Sequence, residues 1–287
     1  PRPATAPVRA GAPVTGRYQA IVGPWTHGEN VNGPVLQAIR LRWYDTWLKN
    51  APTGMADTAT PLHLFENGAN RWVDQAAWPP ATDVRTYHLG AGSLTTDRSG
   101  GTDSLTWAAT STLTYTTSAL ARTAVLDGPA DVTVYVRSTA PEVELTATLN
   151  VVAADGSVVK QADGVLLGSQ RRLDPATSWY GEGHALLSPS HPFTQASQMS
   201  VVPGRTTRLD IALLANFTQI PAGDRLQIVL TSQPPANFHT TLAPTPQELA
   251  NLSGGVYTVQ RAASFVNLPL TSPAAFTTSP TNWGPAT

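Results

Sequence analysis

One short segment of this sequence, Gly23-Pro24-Trp25-Thr26-His27-Gly28, carries residues of a kind and spacing suited to proton transfer. A histidine followed by glycine on a loop is free to reach into a neighbouring cleft, and an imidazole titrating near neutrality can both take and return a proton. His27 is therefore the candidate general acid–base. A loop histidine taken at random more often makes an ordinary hydrogen bond, so its surroundings decide. Glu29, two residues on, is too close in sequence to hold the ring from behind while the other nitrogen faces a nucleophile. Trp25 either lines a cleft beside His27 or wedges the loop against a sheet. The other histidines lack ligand spacing: His63 and His88 fall in strand-like runs, and His184, His191 and His239 are scattered among loops. No metal site is expected.

Positioning such a loop takes a strand before it and a helix after it. Arg17 to Val22 is a short apolar run stopped by Gly23-Pro24, the pattern of a buried strand ending in a turn. From Pro34, apolar residues fall at Leu36, Ile39, Trp43 and Trp47, with Leu48 beside them. That is helical spacing; Pro34 suits the first turn, and the helix should end by about Asn50. Strand, loop and helix are the local grammar of an α/β layer, in which loops at strand ends hold catalytic groups. The segment is too short to form such a domain alone.

Beyond Pro61 the pattern changes to short β-rich runs between turn residues: Leu62 to Phe65, Thr86 to Leu89, Asp131 to Arg137, Val143 to Val152, Gly164 to Leu167, Arg208 to Leu214 and Arg225 to Thr231. Val132-Thr133-Val134-Tyr135-Val136 and Leu209-Asp210-Ile211-Ala212-Leu213 alternate, with one apolar face, and Ala154-Asp155-Gly156-Ser157 is a hairpin signal. Many short strands with such punctuation predict a β-sandwich or jelly roll. Val256 to Leu270 supplies one or two closing strands, and the Pro-, Thr- and Ser-rich stretch from about Thr271 reads as a tail.

The chain has 287 residues, 41% of them hydrophobic, enough to bury a sizeable core. Its 18 basic and 19 acidic residues leave a formal charge of −1, with no basic stripe for nucleic acid and no polybasic run for anionic lipid. No apolar run approaches the roughly 20 residues of a membrane span. Neither nucleic acid nor membrane is an expected partner. Cysteine is absent, which removes disulfides, thiolate ligands and a thiol nucleophile, and no cofactor signature is present. Lys49 and Lys160 are the only lysines, and Ala, Thr and Pro are abundant. By association with such a composition, a secreted, extracellular bacterial protein is expected.

Ile21-Val22-Gly23-Pro24-Trp25-Thr26-His27-Gly28, followed by Arg42-Trp43-Tyr44-Asp45-Thr46-Trp47-Leu48-Lys49, resembles the catalytic-histidine loop and next helix of the X-prolyl dipeptidyl-peptidase and cocaine esterase (CocE/NonD) hydrolases. Asn67-Gly68-Ala69-Asn70-Arg71-Trp72 and Trp78-Pro79-Pro80 resemble that family's passage into its C-terminal β domain. Gly128-Pro129-Ala130-Asp131-Val132, Ala154-Asp155-Gly156 and Pro221-Ala222-Gly223-Asp224-Arg225-Leu226 are similar to strand and turn motifs of that domain.

The resemblance implies a mainly β chain: residues 1–52 carrying the last strand and helix of an α/β-hydrolase domain, then a galactose-binding-like jelly-roll sandwich over 53–287. It also implies acyl transfer from an ester or X-Pro amide to a serine activated by histidine and aspartate, which in this fold come in the order Ser, acid, His. Yet the first serine is Ser93, the first aspartate is Asp45, and no G-x-S-x-G elbow occurs. The nucleophile and acid are therefore expected on an N-terminal half of the same enzyme, with this chain inert by itself. The alternative is a non-catalytic β-sandwich binding module for a glycan or protein. The eight tryptophans invite that reading, but Trp43 and Trp47 sit on the helix's apolar stripe and Trp72 and Trp78 in the passage motifs, so core packing is expected of them.

Overall fold

The computed structural model describes residues 19–25, 33–55, 60–79, 83–232, 245–281 and 283. In chain order the elements are β1 (Ala20–Val22), α1 (Pro34–Lys49), β2 (Leu62–Glu66), β3 (Arg71–Gln75), β4 (Val84–Leu89), β5 (Leu94–Thr95), β6 (Thr102–Thr106), β7 (Leu113–Thr116), β8 (Ala124–Ser138), β9 (Glu144–Val152), β10 (Val158–Leu167), β11 (Trp179–Tyr180), β12 (Leu186–Ser188), β13 (Thr206–Ile220), β14 (Arg225–Thr231), α2 (Pro246–Leu252), β15 (Val256–Gln260) and β16 (Phe265–Thr271). The chain is mainly β, as its turn-punctuated runs predict.

Two antiparallel sheets share one core. One runs β10-β9-β14-β7; the other runs β5-β4-β16-β8-β15-β6, with β13 paired along the free flank of β8. Period-two alternation aims one face of each long strand inward. Val132, Val134 and Val136 of β8, Leu209 and Ile211 of β13, Leu145 and Leu149 of β9, and Leu226 and Ile228 of β14 meet there, all fully buried. Each such side chain contributes about 1.5–3 kcal/mol relative to exposure. The predicted hairpin joins β9 to β10: Gly156 takes φ 88°, and the Asp155 carboxylate accepts from the Ser157 amide at 2.9 Å and its hydroxyl at 2.7 Å.

The two sheets also touch through irregularities. β13 shifts register between Leu213 and Asn216, β10 between Lys160 and Ala162, and Asn216 Nδ2 donates to the Gln161 carbonyl at 2.9 Å. At Gly164 of β10 the backbones come so close that a Cβ would lie 1.9 Å from the Ala212 carbonyl oxygen, so only glycine fits.

A third, smaller sheet carries β1. It pairs in parallel with β2 (Ala20 opposite Leu62, Val22 opposite Leu64), and β2 forms a hairpin with β3. The hairpin turn, Asn67 to Asn70, is pinned to β13: Asn67 N–H donates to the Phe217 carbonyl at 3.0 Å, and Gln219 N–H donates to the Asn67 carbonyl at 2.8 Å. This sheet spans residue 52, because β1 precedes it and β2 and β3 follow it. Helix α1 starts at Pro34 and stops where Asn50 turns left-handed (φ 53°) and the Ala51 amide reaches back to Asp45 at 3.0 Å.

The stretch after Thr271 does not hang free as its composition suggests. Phe276 packs with Leu62, Leu64, Val73 and Phe217, while Trp283 packs with Met55, Phe65 and Trp72. Its two aromatics supply burial that Pro, Thr and Ser do not, and the Ser279 amide donates to the Trp72 carbonyl at 2.7 Å.

Candidate functional site

His27 lies outside the described residues, as do Thr26, Gly28 and Glu29. The residues on either side of it are described: β1 runs into Gly23-Pro24-Trp25, and α1 opens at Pro34. Trp25 folds back onto Trp72, ring centroids 5.8 Å apart, and a Cβ on Gly23 would come within 2.6 Å of the Trp25 ring. Of the two roles open to Trp25, this contact is the wedge: the indole fixes the loop's first stem to the small sheet. Trp72 itself is buried, and Trp78 packs edge-on against Phe217 at 6.1 Å, so both serve the core.

Only part of the α1 stripe read from sequence is covered. Ile39 and Trp43 pack on the Met55, Phe65, Trp72 and Trp283 cluster, but Trp47 stands half out, and Leu48 is 76% exposed. Leu41 (58%) and Tyr44 (56%) add to the uncovered surface, and Val22 of β1 is 59% exposed. β1 is hydrogen-bonded to β2 on one side only, among the described residues. The two elements that frame the His27 loop thus present an open strand edge and an apolar helix face.

Sequence reasoning passed over one polar constellation. Hairpin register sets His63 directly opposite Asp74, and Nδ1 lies 2.6 Å from Asp74 Oδ1 while Nε2 lies 3.2 Å from Gln19 Oε1. The pair borders a cleft of about 550 Å³ that Gln19, Arg42, Met55 and Trp283 also line, with the Trp283 ring 4.0 Å from the imidazole. Burial pushes the His63 pKa below the ordinary histidine value, and Asp74 opposes this. A His–Asp pair is two thirds of a hydrolytic triad, but the third group is misplaced. Ser279 Oγ donates to Asp74 Oδ2 at 2.9 Å, and the free imidazole nitrogen faces an amide rather than a hydroxyl. The pair joins β2, β3, the chain leading into β1 and the C-terminal stretch. The hairpin turn at Asn67-Gly68 was the signal from which its register could have been counted.

A family model described as the X-Pro dipeptidyl-peptidase C-terminal non-catalytic domain matches residues 53–266. The chain belongs to that family. No curated protein matches it. A CocE/NonD family hydrolase from Staphylococcus aureus has a similar fold, with a TM-score of 0.73 at 15% identity over 88% of this chain and 49% of its own. So does an aminopeptidase from a Thaumarchaeota archaeon, with a TM-score of 0.63 at 15% identity over 89% of this chain and 49% of its own. An α-amino acid ester hydrolase gives 0.61 at 14% identity over 88% and 50%. This chain therefore spans about half the length of the solved structures it matches. Coverage of 88% exceeds the 53–266 segment, so the likeness takes in residues outside the non-catalytic domain.

Proposed function

We propose that this chain is the C-terminal part of a secreted serine hydrolase that cleaves ester or X-Pro amide bonds. His27 is its acid–base, and the nucleophilic serine and the acid stand on an N-terminal part. Residues 1–52 complete the α/β-hydrolase layer, and residues 53–287 form a jelly-roll β domain beside the cleft. The observation that carries this reading is the surface on either side of the His27 segment: among the described residues, an open edge on β1 and the Leu41, Tyr44 and Leu48 face of α1. Strand edges and apolar patches of this kind invite pairing and burial, and the missing strands and helices of a hydrolase layer would cover both at once.

In that assembly His27 takes the serine proton as the hydroxyl attacks the acyl carbon and returns it to the leaving alcohol or amine; the acid holds the ring's orientation. The Trp25–Trp72 contact and the Gly23 approach fix where the loop departs. The test is intact-mass analysis of the undenatured protein from its source before and after a fluorophosphonate probe. Label on a co-migrating N-terminal portion, lost when His27→Ala is introduced, supports the reading. A solitary, unlabelled chain, or label on these residues themselves, overturns it.

A further inference from the structure

A second cleft, of about 500 Å³, opens on the face of the larger sheet turned away from the core, under the turn that links β11 to β12. Arg98, Arg208, His88 and His184 line it and no carboxylate does, although acidic residues outnumber basic ones in this chain. Phe265, Leu173 and Tyr180 give it apolar walls.

The two guanidinium groups of the cleft differ in how they are held. Arg208 Nε and Nη2 reach Asp210 Oδ1 at 2.8 and 2.7 Å. Thr133 Oγ1 lies 2.9 Å from Asp210 Oδ1 and 2.7 Å from Asp131 Oδ2. Asp131 is wholly buried, and burial together with the Asp210 charge pushes its pKa well above the ordinary carboxylate range. The Thr133 hydroxyl donates toward both carboxylates and ties Asp210 into the sheet beneath the cleft. Arg208 is thus held by Asp210, whereas Arg98 is the cleft's second guanidinium. Arg98 makes no ion pair among the described residues, and its exposed neighbour Asp97 does not line the cleft.

The roof of the cleft is strained. Gly183 and His184 are both left-handed (φ 63° and 62°), held by a 2.8 Å bond from the Gly181 amide to the Ala185 carbonyl. A non-glycine residue rests in that region at a cost, and such strain gathers where a side chain must be aimed.

We infer that this cleft binds a small organic anion, a carboxylate on an aromatic or branched apolar body, with Arg98 gripping the carboxylate and Phe265, Leu173 and Tyr180 enclosing the body. Guanidinium matches a carboxylate through two parallel N–H bonds, and the volume suits a small organic ligand. The site is separate from the His27 loop and does not rest on the hydrolase reading.

The test is calorimetric titration of the whole chain with benzoate, with the neutral analogue benzamide, and with inorganic phosphate. Benzoate should saturate with a Kd at or below about 1 mM. Benzamide should bind at least about tenfold more weakly, a difference of 1.4 kcal/mol, and phosphate should also fall behind. Arg98→Gln should weaken benzoate by the same tenfold or more, with Arg98→Lys in between; as Arg98 is exposed and unpaired, its loss leaves the fold intact. His184→Gly, which relaxes the left-handed backbone, should weaken benzoate without lowering the melting temperature. Benzoate that never saturates, benzamide that matches it, or Arg98→Gln that binds normally overturns the anion site. Phosphate binding as tightly as benzoate overturns the apolar half of the assignment.

Discussion

In the sandwich, Val134, Leu209, Leu145 and Ile228 are fully buried and every long strand is paired along its core-facing length; in α1, Leu48 is 76% exposed and only Thr46 is buried. Amphipathic patterning, of period two in the strands and of helical period in α1, therefore ends in two outcomes. The sandwich closes its core from its own strands. The small sheet and α1 close one side, through Ile39, Trp43 and Trp25, and leave the other open. Burial is complete where sheets face each other and incomplete where the chain offers one layer of a multilayer fold.

Disturbing the closed region should cost most. Gly164→Ala places a Cβ 1.9 Å from the Ala212 carbonyl oxygen, a backbone atom that cannot swing aside. We expect a loss of about 4 kcal/mol or more in urea unfolding. An unchanged midpoint would mean that the two sheets are not held at this spacing.

Asp127 tests the boundary between the regions, since on β8 it pairs with Phe217, which packs into the small sheet's cluster. Its carboxyl is fully buried, with the Thr271 hydroxyl nearby but no hydrogen bond of ordinary geometry to either oxygen among the described residues, and burial pushes its pKa up to about 7. Between about pH 4, the unfolded value, and pH 7, the folded state holds a proton that the unfolded state has released, so stability falls as pH rises through that window. Asp127→Asn should leave stability at pH 4 nearly unchanged, raise it by about 4 kcal/mol at pH 8, and flatten the profile between. A parallel loss at both pH values would show that the carboxyl has a partner.

His63 probes the small sheet. His63→Leu removes the 2.6 Å bond to Asp74 and should cost about 2 kcal/mol near neutral pH. Because burial lowers the folded pKa of His63, the unfolded chain binds the proton more readily. The wild type should therefore lose stability as pH falls below about 6.5, and the variant should lack that slope. Thermal melts from pH 5 to 8 decide it.

The smallest effect is expected on the open face. Leu41→Glu and Leu48→Glu should change the stability of this chain by no more than about 0.5 kcal/mol, while improving its solubility. If either unfolds the protein, the face is covered from within the chain and the contrast between the regions fails.

Particular residues show how much could be read in advance. Arg225–Thr231 and the start of α1 at Pro34 match the predicted runs because their apolar spacing and their Gly and Pro boundaries are local signals. α2 was overlooked although Thr245-Pro246-Gln247-Glu248 spells a capping box, and the structure shows both of its reciprocal bonds. β8 and β13 are far longer than the runs read for them, since Gly128-Pro129 and the bulge after Leu213 look like stops when their pairing partner is unknown.

What the sequence alone determined was type and grammar: strands of period two and one amphipathic helix, with a resemblance around His27 beside them, all properties of neighbours along the chain. Only the tertiary structure decided which of these surfaces meet. It set His63 against Asp74, folded Trp283 back over them, seated Gly164 against Ala212, and brought Arg98, His184 and Arg208 around one cleft from segments far apart in sequence. Such meetings depend on register, bulges and sheet packing, which local propensity does not encode.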